Sequence, residues 1–469
     1  NLKNYEMAIK DCNRAIEINP EQPGFYDMCG MFHRDMKQYD LAIKYHEKAI
    51  SLNPGNKKFY KNMSLVYLDA ALDAVRSHEY EKAAEFYKKA SQLDPTRNIN
   101  KDLAFVYHGA CLNYFKSNDY NQAVNYCTRG IELEPNQEYF YSLRSSAYEN
   151  SGNYVLAIND LTKAIELKPE YFNNYLLRAL DYEKLGEIEK ALGDYTKAIS
   201  LNPRESNSYY FRGNLNVKSK KYTAAINDFS KAINLDPKHE GAYFSRAIVF
   251  ITLKKFQEAL RDFNVTIELN HASAESYYGR GDVNEILGDT KQAIDDFSKA
   301  LELKPDYYEA LGKRGDLYFQ MGDMDRAISD YKRMIQLKPR DVDVHGALGD
   351  AYFKKEMYQK ALEHFNETVK LAPEESLSYY SRGNAYAKLG MHEDAIKDYE
   401  KAVALNPKDS KYYYYNIACS FSLKNDPSNA CKWLNKAVEI GYDEWEHLKN
   451  DTDFDNIRNS SCYQSIDGH

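Results

Sequence analysis

Along the chain, apolar and small residues recur in two alternating sets, each with helical spacing. If every unit is numbered so that its closing proline is position 32, the first set falls at positions 4, 7, 8 and 11 and the second at 20, 24 and 27. Position 8 is small, as in Gly30, Ser145, Ala179, Gly213, Ala247, Gly281, Gly315, Gly349 and Gly383. Position 20 is alanine from Ala42 through Ala83, Ala123 and Ala157 to Ala395, and position 24 is mostly aromatic, as in Tyr195, Phe229, Phe263, Phe297, Tyr331, Phe365 and Tyr399. Intervals of three and four residues put each set on one face of a helix, so each unit predicts two helices joined by a short turn. Small residues at 8 and 20 let the two backbones approach, the ring at 24 fills the space between hairpins, and the proline ends the second helix.

The prolines keep time. Pro135, Pro169, Pro203 and Pro237, then Pro305, Pro339, Pro373 and Pro407, fall 34 residues apart, with His271 and Gly441 on the remaining beats. Pro20 and Pro54 are also 34 apart, whereas the steps to Pro95 and Pro135 are 41 and 40. One such hairpin cannot bury its apolar face alone, so neighbours must stack.

In these residues and this period the chain resembles the tetratricopeptide repeat family over about residues 1 to 441. The resemblance implies an all-α, right-handed superhelical solenoid of about twelve hairpins, with a leading half repeat and a C-terminal capping segment. Three regions are expected: an N-terminal block over 1–135 with the half repeat and two lengthened repeats, a regular array over 136–441, and a cap and tail over 442–469. In the lengthened repeats the additional residues precede the second helix, within Tyr60–Arg76 and Leu103–Lys116. Either a longer first helix, which keeps its facing when about two turns are added, or an irregular junction would accommodate them. The tail carries Trp445, Phe454, Ile457 and Tyr463 and resembles segments that close similar arrays.

Charge adds a second pattern. Position 7 carries Arg144, Arg178, Arg212, Arg246, Arg280, Arg314 and Arg382, and position 23 carries Asp160, Asp194, Asp228, Asp262, Asp296, Asp330 and Asp398. The exceptions coincide: Leu348 accompanies His364, and Cys29 accompanies Tyr45. Pairing between successive repeats fails at Asp330 and Asp11, whereas pairing within a repeat does not, so an arginine–aspartate bridge across each hairpin is predicted. A ladder of arginines for an acidic ligand is the competing reading.

The family's concave groove is lined by first helices at positions 2, 5, 9, 12 and 13. Carried over, position 5 gives Leu176, Tyr210, Phe244, Tyr278, Tyr380 and Tyr414, and position 9 gives Asn214, Asp282, Asp316, Asp350 and Asn384. Position 2 adds Glu275, Glu309 and Asp343, and position 12 adds Glu285, Phe319 and Phe353. An acidic strip beside aromatic rings is therefore expected over 275–353, suited to a basic, aromatic segment of a protein partner, extended or helical. The lysine that accompanies asparagine in repeats that clamp heat-shock chaperone tails is missing beside Asn214 and Asn384, which disfavours that ligand.

Composition narrows the classes. A net charge of −8 disfavours nucleic acid, and no apolar run reaches the length of a membrane helix. The seven cysteines, Cys12, Cys29, Cys111, Cys127, Cys419, Cys431 and Cys462, form no CxxC pair, so they predict small buried thiols in a reducing compartment rather than a disulfide framework or a zinc site. His345 and His364 replace structural residues and read as packed side chains. No phosphate-binding loop, nucleophile elbow or HExxH metal motif is present. The sequons at Asn264 and Asn366 put their hydroxyl residues at packed position 27, which favours a cytoplasmic chain. The chain opens within a repeat, so its N-terminus reads as truncated and a targeting signal stays open. The reading is thus a scaffold or adaptor without cofactor, metal or catalytic residues. The alternatives are the regulatory or substrate-recruiting arm of a larger enzyme and a self-associating solenoid.

Overall fold

The computed structural model describes residues 2–408 and 410–467, and among these every regular element is a helix. The chain forms two compact units, Asn1–Pro237 and Lys238–His469. The first opens with the helix Leu2–Ile18 and continues in six antiparallel hairpins: Pro23–Asp35 with Tyr39–Leu52, Lys57–Arg76 with Tyr80–Leu93, Ile99–Lys116 with Tyr120–Leu133, Glu138–Asn150 with Tyr154–Leu167, Phe172–Lys184 with Ile188–Leu201, and Ser206–Lys218 with Tyr222–Leu235. The second holds six more, from Glu240–Thr252 with Phe256–Leu269 to Lys411–Leu423 with Pro427–Glu439, and ends in Trp445–Asn450, the 3-10 turn Thr452–Phe454 and Ser461–Asp467. Among the described residues, no helix is long and apolar enough to cross a membrane.

The small positions explain the hairpins. The position-20 alanines are fully buried at every unit from Ala42 to Ala395. The position-8 glycines lie against the ring at 24: a Cβ at Gly349 would sit 2.5 Å from the Phe365 ring, and one at Gly281 would sit 2.8 Å from Phe297. Close packing leaves no room for that methyl group. The turns between the two helices pass through the left-handed region at Gly288 (φ 84°) but also at Lys254 (φ 56°), so glycine eases this turn without being obligatory.

The additional residues of the two lengthened repeats extend their first helices to 20 residues in Lys57–Arg76 and 18 in Ile99–Lys116, against 13 in the regular hairpins. At the far end, Tyr442, Leu448, Phe454, Ile457, Tyr463 and Ile466 bury themselves against Tyr415, Ala418 and Leu434 of the last hairpin.

Two expectations are corrected. The cysteines are not a set of free thiols: Cys12 pairs with Cys29, Cys111 with Cys127, and Cys431 with Cys462, leaving Cys419 free and buried. Register explains one pair, because Cys111 and Cys127 occupy positions 8 and 24, where other hairpins press glycine onto a ring. The second correction concerns Tyr414. The last first helix begins at Lys411, one residue later than the period predicts, so Tyr414 takes position 4 and stacks on Trp433 at 5.4 Å while Tyr415 takes position 5.

Candidate functional site

In each regular hairpin the position-7 arginine reaches its own aspartate through two parallel bonds. Arg280 donates from Nε to Asp296 Oδ2 at 3.0 Å and from Nη2 to Oδ1 at 2.6 Å. Arg144–Asp160, Arg178–Asp194, Arg212–Asp228, Arg246–Asp262, Arg314–Asp330 and Arg382–Asp398 repeat this geometry. The planar fork of guanidinium matches a carboxylate in this way. The third nitrogen does something the sequence reading missed. Arg144, Arg178 and Arg212 donate from Nη1 to Thr128, Thr162 and Thr196, and Arg280, Arg314 and Arg382 donate to Asn264, Ser298 and Asn366. All of these acceptors stand at position 25 of the preceding hairpin, so one arginine ties two helices of its own hairpin to the hairpin before it. Burial would lower the Arg314 pKa, but its bonds to Asp330 hold it above the usual arginine value.

The exceptional hairpin substitutes a histidine pair. His345 Nδ1 and His364 Nδ1 lie 3.1 Å apart, His345 Nε2 meets the Pro339 carbonyl oxygen, and Tyr352 stacks on His364. Burial, with the neighbouring His345, pushes the His364 pKa down.

The residues expected along the groove separate into buried, paired and available groups. Leu176 is buried and offers almost no surface, which removes it from the expected set. Tyr210, Phe244, Tyr278 and Tyr380 are half-buried and lean on the position-24 rings Phe229, Phe263, Phe297 and Tyr399 at 5.7–6.1 Å. Asn214 and Phe353 are half-buried on their first helices, and Phe353 packs edge-on against Tyr358. Asn384 accepts from Tyr399 Oη at 2.8 Å and from Asn416 Nδ2 at 3.1 Å.

Charge along this face is unevenly neutralised. Lys313 spans Asp282 at 3.0 Å and Glu285 at 2.8 Å, and Lys304 takes Glu275 at 3.2 Å. Burial disfavours the Lys313 ammonium, yet bonds to Glu285 and Asp282 hold its pKa above the usual lysine range. Phe319 is covered by the Lys354 ammonium, 3.9 Å above the ring. Asp316 is exposed and accepts from Tyr331 Oη at 2.7 Å. Glu309, Asp343 and Asp350 are exposed, with no Lys or Arg within ion-pair distance among the described residues.

Asp343 and Asp350 flank a cleft of about 300 Å³ between Val342–Lys354 and Ser376–Lys388, lined also by Gly346, Ala347, Leu377 and Ser381. Gly346 stands at position 5, where Tyr278 and Tyr380 carry rings, and a Cβ there would meet nothing within 4 Å. The missing side chain opens the cleft. Desolvation raises the Asp350 carboxyl pKa, so this acid gains from an approaching cation.

A further acid stands out in the first unit. Asp181 occupies position 10, which holds Ala147, Leu215, Val249, Val283 and Leu317 in other hairpins, all buried. It is 1% exposed, and neither carboxylate oxygen has a partner among the described residues. Burial, with Glu149 nearby, pushes its pKa to about 7. Comparing position 10 across the repeats would have exposed this residue in the sequence.

No curated protein sequence matches the chain. Among solved structures, it is similar to YrrB, described as a TPR protein with an unusual peptide-binding site (25% identity over 40% of this chain and 97% of that one, TM-score 0.37). It is also similar to pilF of Pseudomonas aeruginosa (20% identity, 44% of this chain and 94% of that one, TM-score 0.40) and to the APC/C Cut9–Hcn1 hetero-tetramer (17% identity, 95% and 98%, TM-score 0.34). Tetratricopeptide repeat models match residues 1–22, 24–56, 110–137, 139–171, 176–240, 274–307, 376–409 and 412–440, and a TPR repeat model matches 315–356 and 349–390. With matches over well more than half its length and stacked hairpins within each unit, the chain belongs to the tetratricopeptide repeat family, a family of protein–protein interaction scaffolds.

Proposed function

We propose that the face carrying Glu309, Asp316, Asp343 and Asp350 holds an extended segment of a partner protein bearing lysine or arginine, with one side chain lodged beside Gly346. The observation that carries this reading is the cleft between Asp343 and Asp350, whose two carboxylates lack a cation of their own. A lysine or arginine seated there would place its stem along Ala347 and Leu377 and its charge between the acids. The Lys313 bridge moves the centre of the site away from Asp282 and toward Asp350. The half-buried Tyr278 and Tyr380 offer ring edges on either side for aromatic residues of the same segment. The three disulfides favour an oxidising compartment over the cytoplasm for this encounter.

A peptide array probed with the wild-type chain and with Asp343→Lys/Asp350→Lys tests the reading. Enriched spots should carry lysine or arginine, fade with rising salt, and vanish with the charge-reversed variant. Selection of acidic or uncharged peptides, or equal binding by both proteins, would contradict it.

A further inference from the structure

Where the second unit ends, three side chains with metal-binding chemistry converge from separate parts of the sequence, with a histidine beside one of them. Cys419 lies on the helix Lys411–Leu423, whereas Asp451 and Asp453 belong to the turn after Trp445–Asn450. The Cys419 thiol and one oxygen from each carboxylate all lie within 4.8 Å of one another. His447, one turn before, brings its Nε2 to 3.8 Å from Asp451 Oδ2.

We propose that Cys419, Asp451 and Asp453, with His447 as the fourth group, bind a thiophilic divalent cation of the zinc class and so fasten the capping segment to the last hairpin. The donor set mixes thiolate, carboxylate and imidazole, which suits zinc, cobalt(II) or iron(II) and disfavours calcium and magnesium. In a tetrahedral site with metal–sulfur near 2.3 Å and metal–oxygen near 2.0 Å, ligand atoms stand about 3.5 Å apart, so shifts of about an ångström bring Cys419, Asp451 and Asp453 to that spacing, and His447 has to swing in from beside Asp451.

Three independent features accompany the cluster. The Tyr415 hydroxyl donates to Asp451 Oδ2 at 2.5 Å and the Asp453 backbone N–H donates to Oδ1 at 2.9 Å, which orients that carboxylate as supporting bonds orient metal ligands. A cleft of about 260 Å³, lined by Cys419, Asp453, Asn384, Asn416 and, at one wall, Lys388, gives an ion a way in. Finally, among the described residues no lysine or arginine pairs with a carboxylate oxygen of Asp451 or Asp453, although Arg458 donates from Nη2 to the Asp451 carbonyl oxygen at 2.9 Å and Lys388 lines the same cleft. Cys419 is also the one cysteine outside the three disulfides. On binding, its sulfur gives up its proton to solvent and bonds the cation, with no change in oxidation state.

The test is a cobalt(II) titration of the full chain, stripped of metal with its disulfides intact. One equivalent should produce the near-ultraviolet thiolate-to-cobalt absorption and raise the melting temperature. Cys419→Ser should lose the absorption. Asp453→Asn, which removes a repulsion and leaves the fold intact by far-ultraviolet dichroism, should weaken binding by at least about tenfold. No saturable absorption in the wild type, full absorption in Cys419→Ser, or unchanged affinity in Asp453→Asn overturns the site. Binding that leaves the melting temperature unmoved overturns the fastening role.

Discussion

The two lengthened hairpins of the first unit and the regular hairpins after them solve the same problem with different chemistry. In the regular kind, a first helix of 13 residues is locked to its partner by an arginine fork on a nearly buried aspartate, and a third bond reaches the preceding hairpin. In the lengthened kind, among the described residues, no arginine fork joins the two helices of a hairpin. Helices of 20 and 18 residues share a core of Met63, Tyr67, Leu68, Tyr80, Tyr87 and Tyr107, joined by the Cys111–Cys127 disulfide. One ion pair among several there, Arg129–Glu81, is different in kind, because Glu81 is 66% exposed while the Asp296 side chain is 2% exposed. Register can therefore be fixed by charge at a tight seam or by bulk and a covalent link along a longer one. Asp343, Gly346 and Asp350 stand on a first helix of the same 13-residue length, in the one hairpin where the His345–His364 pair replaces the fork.

The comparison breaks or sharpens on matched substitutions, read by local hydrogen exchange because repeat arrays need not melt as one unit. Arg280→Ala strands Asp296 in the packed seam and should cost about 3–5 kcal/mol, and a further Asp296→Ala should recover part of it. Equal losses for Arg280→Ala and Arg129→Ala would erase the distinction. Replacing Cys111 and Cys127 together by alanine should cost about 3 kcal/mol, the scale for a loop of that length, with exchange rising in Ile99–Lys116 and Tyr120–Leu133.

Asp181→Asn separates a third kind of seam. A carboxyl raised from 3.8 to about 7 binds more protons folded than unfolded, so its penalty is absent below pH 4, grows between pH 4 and 7, and is complete above. The variant should gain on the order of 4 kcal/mol at pH 8, the worth of about three pKa units, and nothing at pH 3.5. A gain independent of pH would mean that the carboxylate is neutralised in the native seam. The smallest effect belongs to Arg129→Ala, below about 1 kcal/mol, as for exposed ion pairs.

Much of this was legible because a repeat repeats. Each arginine–aspartate pair could be read from coincident exceptions at Leu348 and His364, and position 8 from the smallness it shares with position 20. What escaped depended on single departures from the pattern. The position-25 acceptors vary among threonine, serine and asparagine, so no residue type marked them. The cysteine pairs were hidden because Cys111 and Cys127 are 16 residues apart and only the register of positions 8 and 24 unites them. Tyr414 was misplaced by a one-residue delay in helix start that the proline period cannot show. Gly346 was overlooked because the site was sought in side chains that are present, whereas the cleft exists through one that is absent.

The most direct test of the binding face uses a fluorescently labelled peptide of alternating lysine and phenylalanine, titrated by anisotropy. Gly346→Leu fills the cleft without touching charge, Asp350→Asn removes charge without filling it, and Glu363→Gln changes an exposed acid on a second helix. The account predicts that each of the first two weakens binding by about tenfold or more, equivalent to about 1.4 kcal/mol, while Glu363→Gln leaves it unchanged. Equal affinity across all four proteins would contradict it.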